Sequence, residues 1–375
     1  MGGTNYPLQR YDLPIGKAPL FLRRGQDNRS GPAVLFIHGG SASGDTFLEP
    51  EGDSIFDFLN TVHKMDVWLL DWRGSHRVIT SEPEPCNESA DTVAEWDIPE
   101  ALKFVRETRI KEGRSDRIAV VGHCMGAACL AMAVGAGYVR AEWGLGPVVL
   151  VGVGLFYEVT WDGWSKTQDR TLDRVADEDG TIPFVTPDVS VRAWPTVMEE
   201  TYQMWPEVWG PPWSRQDNDF FHRLAFMYGQ PFLVSNLHER MTREVIRTQF
   251  GAIPFKLYRH AAQNALRGFA APFNAEGKLD PNTENEQIAS ELARRYVCLE
   301  AFSELKITLI TGAENPLWHR ESIDRMAEWL ARGCRSATKH VLDGYGHQDL
   351  WWGKDSRRDV FPLVLDAVRC EPLSR

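Results

Sequence analysis

One stretch constrains the fold more than any other. The β-branched run Ile118 to Val121 turns, through Gly122-His123-Cys124-Met125-Gly126, into an alanine-rich segment of helical character. A strand that becomes a helix within one residue puts its middle side chain on a sharp turn. Glycine is needed on both sides, because the two backbones approach too closely for side chains. The thiol of Cys124 then stands exposed at a helix N-terminus, where unpaired backbone N–H groups favour the thiolate. Cys124 is a candidate nucleophile.

The rest of the chain reads as support for that turn. Leu8 to Asp12 and Ala18 to Arg23 are short strand candidates, and Ala33 to Ile37, between Gly31-Pro32 and His38-Gly39-Gly40, reads as a buried strand. Ser54 to Lys64 is helical, with Ile55, Phe56, Phe58, Leu59 and Val62 on one side. Val67 to Leu70 is a strand, Ala94 to Thr108 a helix, and Pro147 to Val151 a further buried strand. Strands alternating with helices at short intervals call for a parallel sheet covered on both faces.

The alternation stops for roughly 145 residues and returns with the strand Lys306 to Ile310, the helix Glu321 to Arg332, the strand Lys339 to Leu342 and a closing helix Val360 to Val368. The expected division is a core in two parts, 1–158 and 304–375, with an inserted, mainly helical cap at 159–303 that packs on it. The cap carries Trp161, Trp164, Trp194, Trp205, Trp209 and Trp213. An aromatic-rich cap over a nucleophile points to an apolar acyl or ring-containing substrate.

The ends of the strands collect chemistry. His38-Gly39-Gly40, Cys124 and His347, the last in Gly344-Tyr345-Gly346-His347, all follow strands, and in an open parallel sheet such segments converge at the strands' carboxyl ends. The order resembles the α/β-hydrolase superfamily, whose nucleophile, acid and histidine follow one another in the chain. The resemblance covers the whole chain and implies an α/β-hydrolase fold, a mostly parallel sheet with helices on both faces. It also implies that Cys124 forms a thioester acyl-enzyme and that His347 is general acid and base. The oxyanion would be held by the backbone N–H groups of Gly40 and Met125.

The residue behind His347 is open. Relatives with Gly-x-x-Asp after the corresponding strand orient the histidine with aspartate. Here Gly312-Ala313-Glu314-Asn315 brings Asn315 to that position with Glu314 beside it, and Asp343 is a further alternative. An amide can orient a histidine without a charge, as in papain-like Cys-His-Asn sites.

The elbow, Asp97-Ile98-Pro99-Glu100-Ala101, Phe221-His222-Arg223, Phe226-Met227-Tyr228-Gly229, Gly312 to Asn315, and Tyr345-Gly346-His347-Gln348-Asp349 look like the hydrolase domains that accompany cholesterol-oxidase-like proteins. A cysteine at the elbow is also similar to dienelactone hydrolases and polyhydroxyalkanoate synthases, the latter likeness shared by Leu69-Leu70-Asp71-Trp72. Those two families imply different reactions, lactone hydrolysis and acyl transfer to a hydroxyl; for this chain, hydrolysis of an ester, thioester or lactone is the first expectation and transfer to a hydroxyl or amine acceptor the second.

Composition narrows the partners. A net charge of -11 argues against nucleic acid or an anionic membrane, which need a basic face. The expected partner is a small, apolar acyl or lactone substrate, free or as a carrier-bound thioester. Met1 to Asp12 holds no apolar core of signal-peptide length, no apolar run is long enough to span a membrane, and a reducing cytoplasm is the expected compartment. Six scattered cysteines without CxxC spacing indicate neither disulfides nor zinc. No cofactor is implied, since Gly152-Val153-Gly154 lacks the third glycine of a dinucleotide site. Cys129, Cys298 and Cys334 read as small apolar fillers. His38 reads as structural, His123 as packed beneath the sheet end, and Asp71 and Arg73 as a strand-end ion pair or turn.

Overall fold

The computed structural model describes residues 6–15, 18–79, 88–160, 181–182, 220–221, 224, 227–229, 231–274 and 286–369. One eight-stranded sheet organises them. Its strands are β1 (Leu8–Ile15), β2 (Ala18–Gly25), β3 (Ala33–Ile37), β4 (Asp66–Asp71), β5 (Ile118–His123), β6 (Leu145–Val151), β9 (Lys306–Gly312) and β10 (Ser336–Leu342), in the order β1-β2-β4-β3-β5-β6-β9-β10. A separate two-stranded sheet pairs β7 (Thr181–Ile182) with β8 (Ile253–Pro254).

The strands β3 to β6 are buried along their whole length, as strands covered on both faces must be. From β4 to β10 the pairing is parallel, and β2 joins β4 antiparallel. Consecutive arginines fix that junction. Successive side chains on a strand face opposite ways: Arg23 reaches Asp71 and Asp45 on one face, while Arg24 reaches Asp66 on the other. Slipping β2 by one residue would send each guanidinium to the wrong side and leave buried carboxylates unpaired.

Two expected helices depart from regular α geometry. The segment after Ser54 is a π-helix over Asp57–Val62, and the helix Ile98–Lys111 is preceded by a π turn over Val93–Asp97. Pro99 at the start of the second helix suits its first turn, where no N–H bond is lost.

Between β6 and β9 the described residues add no strand to the large sheet. They form helices Arg243–Gln249, Phe255–Arg267 and Glu286–Ala293, and they press on the core. Gly251 N–H donates to Ser41 O at 2.8 Å, Tyr228 Oη bonds Ser41 Oγ, and Tyr296 Oη donates to Asp91 at 2.5 Å. The six cap tryptophans, most of them expected to pack between helices, lie outside the described residues. Among the described residues no helix is long and apolar enough to cross a membrane.

Candidate active site

The junction of β5 and the helix Met125–Gly135 is as tight as the sequence requires. Cys124 has φ 54° and ψ -126°, a conformation costly for a residue with a side chain. A Cβ on Gly126 would lie 2.4 Å from His38 O, and one on Gly122 would lie 2.6 Å from the Ala127 Cα. Cys124 N–H donates to Val151 O at 2.9 Å, which ties the turn to the neighbouring β6. Strain at this residue is held by backbone contacts on three sides.

Cys124 is partly exposed, toward a cavity. The sequence reading expected the helix terminus to favour the thiolate. Burial outweighs it and raises the thiol pKa, while the Trp318 indole and the backbone N–H groups of Met125 and Gly40 each work to lower it. The resting group is therefore a thiol. Trp318 follows β9, is 7 % exposed, and its indole nitrogen is buried without a hydrogen-bond partner among the described residues. Nothing in one dimension singled it out.

His347 is 2 % exposed, and burial pushes its pKa down to about 3. Its Nδ1 lies 3.0 Å from Asn315 Nδ2, and its Nε2 is buried without a partner among the described residues. Its ring fits because position 152 is glycine: a Cβ there would lie 2.8 Å from His347 Cε1, and φ is +90°. The loop is fixed from below by Asp349, whose carboxylate accepts from Gly346 N–H at 3.0 Å and from Asn236 Nδ2 at 2.8 Å.

Of the candidates behind His347, the structure brings Asn315 to the ring. Asn315 is buried, whereas Glu314 and Asp343 are exposed. His38 is fully buried, stacked 5.2 Å from Trp72, with its backbone oxygen accepting the Trp72 indole N–H at 3.1 Å. His123 is also buried, its ring 4.6 Å from that of His347 and edge-on to Trp351. Asp71 pairs with Arg23, and Arg73 with Asp97, so the two are not partners of each other. Cys129 is buried, but Cys298 and Cys334 are only partly so, and donate to Glu300 and to Leu305 O. Cys86 and Cys370 lie outside the described residues.

The cavity over Cys124 is a narrow cleft, partly open to solvent. Its walls include Gly40, Tyr228, Tyr258, Ala261, Ala265 and Trp318. The two tyrosine hydroxyls are already engaged, Tyr228 with Ser41 and Tyr258 with Met227 O at 2.6 Å. The lining offers aromatic and aliphatic surface, and no charged side chain is part of it among the described residues.

Solved structures of similar architecture span nearly the whole chain. A soluble variant of monoglyceride lipase from Saccharomyces cerevisiae, bound to a substrate analog, superposes with a TM-score of 0.57 at 11% identity over 98% of this chain and 97% of that one. A lipase in an open form gives 0.53 at 16% identity over 96% and 98%. A thermophilic esterase from Thermogutta terrifontis gives 0.50 at 14% over 96% and 97%. At such identities the likeness is one of fold. No curated protein matches the chain. A family model described as the alpha/beta hydrolase family matches residues 34–362.

Proposed function

The chain belongs to the alpha/beta hydrolase family, and from that premise we propose that it is an acyl hydrolase working through a thioester on Cys124. The observation that carries this reading is the thiol on a strained elbow at the wall of a cavity that Gly40 and Met125 also line, which makes their backbone N–H groups the candidate donors. Those donors would hold the oxyanion as the sulfur bonds the acyl carbon. The thiol proton passes to His347 Nε2 and from there to the departing oxygen or sulfur. Water then attacks the thioester, gives its proton to the same nitrogen, and Cys124 recovers it as the acid leaves. The described residues of the inserted segment that line the cavity, Tyr228, Ile253 and Tyr258 among them, serve as its cap.

The substrate class follows from the lining. An uncharged apolar acyl group of an ester, thioester or lactone fits walls that carry no charged side chain among the described residues. The same apolar lining favours a second outcome, transfer of the acyl group to a hydroxyl or amine acceptor, where a bound apolar acceptor displaces water from the cavity.

A panel of activated esters and thioesters tests the reading. Cys124→Ala and His347→Ala each lower turnover by about 10³-fold or more, in line with loss of a nucleophile or its proton carrier. Undiminished turnover in Cys124→Ala would reject it. A protein that binds an apolar ligand but turns over nothing on the panel is instead a ligand receptor or a non-hydrolytic lyase on this fold.

A further inference from the structure

The network around Asn315 has a direction. Its Oδ1 accepts two backbone N–H groups, from Leu317 at 3.1 Å and Trp318 at 3.2 Å. Rotating the amide by half a turn would face its NH₂ against both donors, so the assignment of oxygen and nitrogen is fixed by the backbone. On the other side, Thr311 Oγ1 donates to Gly312 O at 3.3 Å and is left to accept, 3.4 Å from Asn315 Nδ2. Nδ2 is therefore a donor, and the atom it meets at 3.0 Å is Nδ1 of His347. A neutral imidazole that accepts at Nδ1 carries its proton on Nε2.

We propose that Asn315 is a positioning residue that holds His347 in the Nε2–H tautomer, so that the resting site stands one proton shift away from the form able to take a proton from Cys124. This rests on the acyl-enzyme reading above and deepens it. In the held tautomer the Nε2 lone pair is occupied, and the thiol has no acceptor there. To free it, a proton leaves Nε2 and another arrives at Nδ1 through solvent, with no net change in charge. Nδ1–H then faces the NH₂ of Asn315, unless the amide rotates and gives up its bonds from Leu317 and Trp318. A carboxylate at position 315 removes the conflict: one oxygen keeps both backbone bonds and the other accepts Nδ1–H. The environment does not relieve the hold by ionising the ring, because burial keeps His347 neutral above pH of about 3. The titratable ring packed against it is His123 on β5, itself buried and held neutral.

The test has two arms on the full chain. Nitrogen-15 NMR of histidine-labelled wild type, with the His347 signals assigned by difference from His347→Gln, reads the tautomer directly. The expected spectrum has a protonated Nε2 and an unprotonated Nδ1, and the reverse pattern overturns the proposal. In Asn315→Asp the pattern inverts, and the rate of acylation by an activated ester rises at least tenfold over wild type. A variant that folds and acylates no faster overturns the role in activation. If Asn315→Asp does not fold, the wild-type spectrum still decides. Acylation that is equal in wild type and Cys124→Ala rejects the acyl-enzyme reading instead, whatever the spectrum shows.

Discussion

The imidazole rings of His123 and His347 lie 4.6 Å apart, centroid to centroid, tilted by 33° and both buried at the carboxyl ends of the sheet. One ring belongs to the residue before the candidate nucleophile, the other to the candidate proton carrier. Their contact couples the elbow to the His347 loop, and both rings pack in the neutral form: burial pushes His347 down to about 3 and His123 well below its ordinary value.

That neutrality has a cost in acid. Unfolded, each ring takes up a proton near pH 6.5, whereas folded His347 waits until about 3 and His38 until about 4. Between those limits the unfolded chain binds more protons, so stability falls as pH falls. At pH 5 the loss is about 2 kcal/mol for each of these two rings. Denaturant unfolding of wild type and of His347→Gln at pH 7.5 and pH 5 checks this, because other groups titrate in both proteins alike. A loss of stability between the two pH values that is equal in the two proteins would contradict it.

The thiol behaves as a high-pKa group. Burial raises Cys124 above its ordinary value, so its alkylation by a neutral reagent such as iodoacetamide keeps accelerating through pH 9. Peptide mapping of the modified site across pH gives the profile. A plateau beginning below pH 7 would mean that the helix terminus, not burial, governs the sulfur.

Gly126→Ala breaks the elbow. Its Cβ would stand 2.4 Å from the His38 carbonyl oxygen and 2.6 Å from that of Ile37, both backbone atoms that cannot swing aside. The expected destabilisation is about 3 kcal/mol or more, in the range of severe steric changes. Chemical unfolding measures it, and a variant within about 0.5 kcal/mol of wild type would mean that the turn is looser than described.

Ala265 limits the depth of the cavity. It lies one helical turn beyond Ala261 on the helix Phe255–Arg267, and both line the cavity over Cys124. Ala265→Trp fills that space, so kcat/KM for a medium-chain ester falls about tenfold or more relative to the acetyl ester. Unchanged preference along a chain-length series would show that the acyl group lies elsewhere.

Much of this architecture is legible in one dimension, for physical reasons. Aliphatic runs such as Ala33 to Ile37 and Pro147 to Val151 suit only strands buried on both faces, and Gly122 and Gly126 stand where backbones nearly touch. Asn315 was one of three candidates behind His347, because spacing gives a loop but not which side chain turns inward. The direction of its hydrogen bonds was hidden, since it depends on two backbone N–H groups that only the folded loop presents. The acidity expected of Cys124 was reversed because a helix terminus is visible in sequence and the burial around it is not. Gly152 was legible only as half of a motif it does not form, while the folded chain uses it as room for the His347 ring.

The central claim is a covalent one. Wild-type protein mixed briefly with an activated apolar ester and quenched in acid should gain the mass of one acyl group, and peptide mapping should locate it on Cys124. Cys124→Ala should gain nothing. An adduct that persists in Cys124→Ala, or one that maps to another residue in wild type, contradicts the account.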